Sequence, residues 1–162
     1  MQARPAVPGD ADAVARIYND GIEERIATFE TRARTAEEVR SWFGGRHPVV
    51  VVEEDGEVVA FAAASEYRPR GCYAGVAEFS VYAVRAARGR GAGGTAMGAL
   101  ISAAERAGFW KLVSRVFVEN APSRRLLRAA GFREVGVYER HARLDGAWRD
   151  VVIVERLLPS DL

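Results

Sequence analysis

One glycine-rich segment, Arg88–Gly94, separates an extended apolar run from an amphipathic helical run in this chain of 162 residues. The preceding run reads GVAEFSVYAV, which is typical of a β-strand. After the glycines, apolar residues recur at helical spacing, at Met97, Leu100, Ile101 and Ala104. A strand that enters a helix through glycines can direct successive backbone N–H groups at one anion, and the helix dipole adds positive potential there. The segment therefore predicts an α/β fold with a phosphate-binding loop at a helix start.

Two common phosphate-binding motifs fit this segment poorly. A P-loop requires a lysine after its last glycine, but Thr95 follows Gly94. Gly89, Gly91 and Gly94 match the dinucleotide-binding fingerprint by count. In that fold, however, the glycines directly follow the first strand, and an acidic residue lies about 20 positions further on. Here several residues separate the strand from Gly89, and about half the chain precedes it, which disfavours a nicotinamide dinucleotide.

The remaining interpretation is an Arg-x-x-Gly-x-Gly loop formed by Arg88, Gly91 and Gly93. Glycines let the backbone approach a ligand closely, so such a loop can hold a pyrophosphate without a metal ion. The alternative is a glycine-rich turn that binds nothing. The flanking arginines and the helix start favour the binding loop.

The rest of the chain alternates between helical and extended patterns, which indicates one α/β domain with a mixed sheet. Asp10 is a candidate N-cap for the helix in GDADAVARIYNDGIEE. Thr35 and Glu38 form the capping box of a second helix. Asp55 and Asp145 are each followed by glycine between apolar runs, so both predict hairpin turns.

The composition excludes several classes of protein. Cys72 is the only cysteine, and His47 and His141 lack ligand-like spacing, so neither a disulfide nor a metal site is expected. The net charge of +1 gives no support for a nucleic-acid partner. The opening MQARPAVPGD lacks the apolar stretch of a signal peptide, and no apolar run approaches the length of a membrane span. We therefore expect a cytoplasmic protein that contacts neither membrane nor nucleic acid.

Several motifs taken together resemble the GCN5-related N-acetyltransferases (GNAT): EFSVYAV, RGRGAGG, KLVSRVFVE, NAPS and AAGF. RIYNDGI with ATFET, YRPRGCYAGVAEFSVYAV and LDGAWRDVVIVERLL are similar to the phosphinothricin and arsinothricin N-acetyltransferase branch, and this similarity covers nearly the whole chain. The resemblance implies a single domain over residues 1–162, with a mixed sheet of about six to seven strands flanked by about four helices. It also implies acetyl-CoA as cofactor, a small amino-acid substrate and a homodimer.

The resemblance assigns three parts of the chain to the cofactor. The backbone of Val81, Tyr82 and Ala83 would face the pantetheine arm and polarise the thioester carbonyl. Asn120 would bond the same arm from a helix start, with Ser123 nearby, although a plain helix cap explains Asn120 equally well. The pyrophosphate would lie on the loop residues Arg88, Gly89, Arg90, Gly91, Ala92, Gly93 and Gly94.

Glu78 is the candidate catalytic residue. It interrupts an otherwise apolar strand, where a carboxylate is unfavourable unless it is paired or used. A carboxylate at this position suits a general base that takes the proton of an attacking amine, directly or through a water. The resemblance supports this role, because the branch carries a glutamate before its SVY segment. An exposed strand residue without a catalytic role is the alternative.

Four residues are implied for the substrate pocket by their match to the branch. YRPR supplies Arg68 and Arg70, and ATFET supplies Phe29 and Glu30. A guanidinium suits both the carboxylate and the phosphinate or arsenic oxyacid of a glutamate-like amino acid. Simple solvation is the alternative for each arginine.

The general acid that would protonate the leaving thiolate is left open. Many members of the superfamily place a tyrosine seven residues after the equivalent of Asn120, where this chain has Leu127. Some members of the branch carry a histidine where this chain has Asp145. Tyr138 and His141 are nearby but weak candidates, and water could protonate the thiolate instead.

The favoured function is therefore acetyl-CoA-dependent acetylation of the α-amino group of a toxic amino acid such as phosphinothricin or arsinothricin. Methionine sulfoximine or another small amine is an alternative substrate. A module that binds acyl-CoA without catalysis is an alternative of a different class. The sequence alone does not rank the substrates.

Overall fold

Seven strands form one mixed sheet in the computed structural model, which describes residues 1–159. The sheet order is β1-β2-β3-β4-β5-β7-β6, and within this range β4 and β5 are the one parallel pair of neighbours. This architecture confirms the predicted mixed sheet. The strands are β1 (Gln2–Pro5), β2 (Val49–Glu54), β3 (Glu57–Glu66), β4 (Val76–Ala83), β5 (Lys111–Phe117), β6 (Arg133–Leu144) and β7 (Ala147–Leu157).

Four α-helices cover the two faces of the sheet in the described part of the chain. They are α1 (Ala11–Glu24), α2 (Ala36–Arg40), α3 (Ala92–Arg106) and α4 (Ala121–Ala129). Helices α3 and α4 contribute buried residues to one core, and α1 and α2 contribute to the other. The sheet therefore lies between two helical layers.

Strand β2 is apolar at four consecutive positions because both of its faces are buried. Val50 and Val52 belong to the core that contains α3, whereas Val49 and Val51 belong to the core that contains α1. Successive residues of a strand point to opposite faces, so a strand covered on both faces needs apolar side chains throughout.

The parallel pairing of β4 with β5 is short. It covers three register positions, and the last of them places Glu78 beside Val113. Beyond this point the Ser114 hydroxyl donates a hydrogen bond to the Phe79 carbonyl over 2.9 Å. The remaining residues of β4 pair with β3 alone, and those of β5 pair with β7 alone. The two strands therefore diverge from Glu78 onward and open a gap in the sheet.

Local signals in the sequence correctly predicted several turns and caps. Asp55 and Asp145 adopt positive φ angles of 53° and 51° before glycine, at the turns that join β2 to β3 and β6 to β7. The Thr35 hydroxyl accepts a hydrogen bond from the Glu38 N–H over 3.1 Å, which confirms the capping box of α2.

The predicted N-cap position of Asp10 is confirmed, but its side chain does not cap the helix. Asp10 occupies the N-cap position of α1, but its carboxylate makes no capping bond. The carboxylate accepts hydrogen bonds from the Arg4 guanidinium at 2.8 and 2.9 Å and from the Val7 N–H at 2.8 Å. A charged, bidentate partner outcompetes a helix N–H for the same oxygens.

None of the helices within residues 1–159 is long and apolar enough to cross a membrane. The longest, α3, has 15 residues, whereas a membrane span needs about 20. The same part of the chain contains no group of three or more histidine, cysteine, aspartate or glutamate side chains placed to hold a metal ion.

Candidate active site

The glycine-rich segment forms the turn that leads into α3. Gly89 and Gly91 have φ angles of +75° and +92°, a region that favours glycine. The Thr95 N–H donates to the Gly91 carbonyl over 2.9 Å, which begins the ladder of the helix. The N–H groups of Ala92, Gly93 and Gly94 precede that bond and so have no acceptor within the helix. Together with the helix dipole, these groups would favour an anion at this helix start.

The two arginines of the loop are already paired with carboxylates. The Arg88 guanidinium donates to both oxygens of Glu24 on α1 at 2.6 and 2.8 Å, and this contact lowers the pKa of Glu24. Arg90 donates to Glu54 over 2.8 Å. Arg88 therefore joins the loop to α1, and the N–H groups are the donors left facing an incoming anion.

The gap between β4 and β5 contains a cavity of about 500 Å³. Seven of the residues that the sequence nominated line it: Phe29, Glu30, Glu78, Val81, Tyr82, Asn120 and Ser123. Tyr18, Thr28, Leu127 and the β5 residues Ser114 to Phe117 complete much of the wall. Ala83, Arg68 and Arg70 lie outside its lining. The structure thus brings the candidate base, the candidate pantetheine contacts and part of the candidate substrate pocket around one space.

The side chain of Tyr82 lies in the layer of α1. Its ring stacks on Phe61 with centroids 5.5 Å apart and meets Tyr18 edge-on at 5.3 Å. Burial raises the pKa of the Tyr82 phenol, so the hydroxyl stays protonated at neutral pH. A Cβ at Gly21 would stand 2.7 Å from this ring, so glycine at that position allows the close packing.

Glu78 is half-buried and faces two guanidinium groups. Its carboxylate oxygens lie 3.3 and 3.5 Å from Arg115 Nη2, and 3.7 Å separates Oε1 from Arg68 Nη1. Arg115 comes from β5 and Arg68 from the connection between β3 and β4. Both guanidinium groups therefore face the carboxylate of the candidate base.

A second cavity, of about 220 Å³, adjoins the first at Glu78 and Arg115. Arg68 and His141 also line it, and His141 Nε2 lies 3.4 Å from Arg115 Nη1. Arg70 is exposed and lines neither space, so the structure separates the two arginines of YRPR. Glu78 therefore stands between a gap in the sheet and a cavity with several cationic side chains.

Arg115 was not predicted as a site residue from the sequence. Like Glu78, it is a charged residue that interrupts an apolar strand, KLVSRVFVE, and this feature could have identified it. The register aligns Glu78 with Val113, two residues before Arg115, so both charged side chains reach the same part of the gap.

The structure shows the capping geometry of Asn120. Its Oδ1 accepts from the Ser123 N–H over 3.3 Å, and its Nδ2 donates to the Ile26 carbonyl over 3.2 Å. The side chain therefore caps α4 and contacts the segment that follows α1, while still lining the larger cavity. Leu127, which replaces the expected tyrosine, is buried in the core and carries no proton to donate.

Comparison with known proteins relates the chain to acetyltransferases. The sequence profile of the acetyltransferase (GNAT) family matches residues 14–132. A phosphinothricin N-acetyltransferase of Streptomyces coelicolor is 32% identical, over 98% of this chain and 96% of that protein. An L-methionine sulfoximine/L-methionine sulfone acetyltransferase of Salmonella typhimurium is 28% identical, over 96% of this chain and 93% of that protein.

Solved structures show the same fold. A ribosomal-protein-alanine N-acetyltransferase from Brucella melitensis superposes with a TM-score of 0.92 at 31% identity, over 98% of this chain and all of that one. A GNAT superfamily phosphinothricin acetyltransferase from Sinorhizobium meliloti, in complex with acetyl-CoA, gives a TM-score of 0.89 at 28% identity. That alignment covers 97% of this chain and 88% of the other.

Proposed function

The chain belongs to the acetyltransferase (GNAT) family, and from this premise we propose that it acetylates the α-amino group of a small glutamate-like amino acid. It is an N-acetyltransferase, and its cofactor is acetyl-CoA. One observation carries the proposal: Glu78 stands between the gap that opens beside β4 and a cavity that presents Arg68 and Arg115.

The residues present fit acetyl-CoA. The N–H groups of Ala92, Gly93 and Gly94 lack helical acceptors and suit a pyrophosphate. A Cβ at Gly93 would stand 2.5 Å from the Leu126 side chain, so glycine also permits the close packing of the loop on α4. The backbone beyond Glu78 on β4 pairs with β3 only, which leaves hydrogen-bonding groups facing the gap. We assign the loop Arg88–Gly94 to the pyrophosphate.

The pantetheine arm and thioester would lie along the gap, where we assign the backbone of Val81, Tyr82 and Ala83, with Asn120 and Ser123 opposite. Four of these five residues line the larger cavity. Ala83 is the fifth, and it continues the same strand towards the loop.

Bound acetyl-CoA supplies an acetyl thioester, whose carbonyl carbon forms a bond to the amine nitrogen while its bond to the CoA sulfur breaks. Glu78 accepts the proton that the amine nitrogen must lose, directly or through one water. Backbone N–H groups on β4 stabilise negative charge that develops on the carbonyl oxygen. Leu127 cannot protonate the leaving thiolate, so we assign that proton to water.

Phosphinothricin is the substrate that we favour, and arsinothricin is a second member of the same class. Both carry an acidic group at the far end of the side chain, which suits a guanidinium. Arg68 is the better-placed arginine of its pair, because it lines the second cavity, 3.7 Å from Glu78. Phe29 and Glu30 would line the pocket from the segment after α1. The relative that acetylates methionine sulfoximine makes that compound the alternative substrate.

Release of free thiol from acetyl-CoA tests the proposal. The purified protein is supplied with L-phosphinothricin, arsinothricin, L-methionine sulfoximine and L-glutamate in separate reactions, and N-acetylated products are identified by mass spectrometry. We expect the highest kcat/KM with the acidic glutamate analogues. Tight acetyl-CoA binding without thiol release for any amine would instead support a non-catalytic acyl-CoA-binding module. From the resemblance to the branch we also propose a homodimer, which sedimentation of the purified chain tests.

A further inference from the structure

Arg115 lies between two groups that line the second cavity. Its Nη2 lies 3.3 Å from Glu78 Oε1, and its Nη1 lies 3.4 Å from His141 Nε2. The imidazole and the carboxylate thus flank the guanidinium.

The pairing of Glu78 with its arginines is loose compared with structural ion pairs in the same molecule. Arg88 approaches the Glu24 oxygens at 2.6 and 2.8 Å, a normal range for charge-assisted hydrogen bonds. Arg115 and Arg68 stand at 3.3 and 3.7 Å from Glu78. Their side chains are 44% and 52% exposed, compared with 26% for Glu78. The two guanidinium groups therefore have donors left to bind another anion.

The other charged groups that line this cavity leave an excess of positive charge. Lys111 and Glu155 also line it, and they pair with each other at 3.0 Å. This leaves Arg68 and Arg115 opposite the single carboxylate of Glu78. In the larger cavity, Glu30 pairs with Arg34 at 2.9 Å. An anion in the second cavity would thus face two guanidinium groups, of which the Glu78 carboxylate neutralises only one.

We propose that Arg115 determines substrate specificity by binding the side-chain anion of the amino acid. The inference rests on the proposed function and assigns a role to a residue that the sequence analysis did not single out. A substrate with a neutral head group cannot form this charge-assisted contact and should react more slowly.

Two nearly isosteric probes test this proposal. L-Phosphinothricin carries an anionic phosphinate, and L-methionine sulfoximine carries a neutral sulfoximine of similar shape. Arg115→Gln is expected to lower kcat/KM for phosphinothricin by about 10- to 100-fold, because a charge-assisted contact is lost. The value for methionine sulfoximine should stay within about threefold, since that contact is not made. Arg115→Lys keeps the positive charge but lacks the planar guanidinium that can bind an anion through two N–H groups. Its loss of kcat/KM for phosphinothricin should therefore be intermediate.

The matched control is Arg106→Gln, which removes the same charge from an exposed position at the far end of α3 and outside both cavities. It should leave both substrates unaffected.

Equal losses for the two probes, or an unchanged KM for phosphinothricin, would overturn the role of Arg115. Calorimetric titration of phosphinothricin into the wild type and Arg115→Gln, each saturated with CoA, separates this inference from the proposed function. If the wild type binds phosphinothricin but acetylates neither probe, the proposed function fails. Arg115 is then supported if its variant binds phosphinothricin at least tenfold more weakly. It is excluded if the two affinities agree or if the wild type does not bind.

Discussion

The Arg88 guanidinium donates to both carboxylate oxygens of Glu24, and this pair joins the glycine-rich loop to α1. The contact lowers the pKa of Glu24 below its ordinary value. A carboxyl whose folded-state pKa is depressed contributes stability above its unfolded-state pKa, and loses that stability as the pH falls through the folded-state value. The pair therefore stabilises the loop at neutral pH and not in strong acid.

We expect Arg88→Gln to weaken acetyl-CoA binding by a few-fold, because the loop loses its connection to α1 and its N–H groups are less well ordered. The global cost at pH 7 should be small, about 0.2–1 kcal/mol, since the Arg88 side chain is 41% exposed. Fluorescence titration with CoA and denaturant unfolding measure the two effects. Glu24→Gln should cause the same loss of affinity for CoA and the same small loss of stability. A loss of affinity in Arg88→Gln alone would instead indicate direct contact between the guanidinium and the pyrophosphate.

Gly91→Ala is expected to destabilise the protein and to weaken CoA binding. The φ angle of +92° is unfavourable for a residue with a Cβ, at a cost of about 1–2 kcal/mol. Gly98→Ala is the matched control, because Gly98 is an exposed glycine inside α3 with open space around its Cβ position. It should stabilise the helix by up to about 1 kcal/mol. Thermal unfolding with and without CoA measures the stability and the CoA binding of both variants. Equal Tm values for the two variants, and equal increases in Tm with CoA, would contradict the proposed loop geometry.

Glu78→Gln is expected to lower kcat by about 10²- to 10⁴-fold, because the amide cannot accept the proton of the amine. Affinity for acetyl-CoA should stay within about twofold, since the carboxylate faces Arg68 and Arg115 rather than the helix start. Thiol release measures kcat, and equilibrium titration measures the affinity. A variant with nearly full turnover would remove Glu78 from the mechanism.

Asp10→Asn is expected to destabilise the fold at pH 7 by about 1–3 kcal/mol, because a nearly buried carboxylate loses its bidentate bond to Arg4. Arg4 lowers the pKa of Asp10, so the stabilisation is fully present above the unfolded-state pKa of about 4 and is lost as the pH falls through the lower folded-state pKa. Urea unfolding at pH 7 and at pH 3 measures the difference, which should be smaller at pH 3 than at pH 7. Glu105→Gln, on the exposed side of α3, is the control and should change little at either pH.

Features that depend on local sequence were predictable. Asp55 and Asp145 mark turns because aspartate before glycine favours the left-handed backbone that a tight hairpin needs. The strand-loop-helix order around Gly91 predicted the glycine turn at the start of α3 for the same kind of reason. Each of these signals lies within a few residues of the structure that it specifies.

Features that depend on tertiary pairing were not predictable from the sequence alone. Asp10 reads as a helix cap, but Arg4 binds its carboxylate from β1. The pairing of Arg88 with Glu24 of α1 was likewise not evident from the sequence. The position of Arg115 beside Glu78 could not be predicted, because it depends on the register of β5 against β4. These two strands are 35 residues apart in sequence at the Ser114–Phe79 contact. A guanidinium has many possible partners, and the fold decides which one it meets.

The short pairing of β4 with β5 has a consequence for how the enzyme responds to its cofactor. Three register positions and one hydroxyl contact join the backbones of the two strands. A ligand that contacts both strands across the gap would add to this connection. Because a ligand that binds only the folded state shifts the unfolding equilibrium by mass action, saturation with acetyl-CoA should raise the free energy of unfolding.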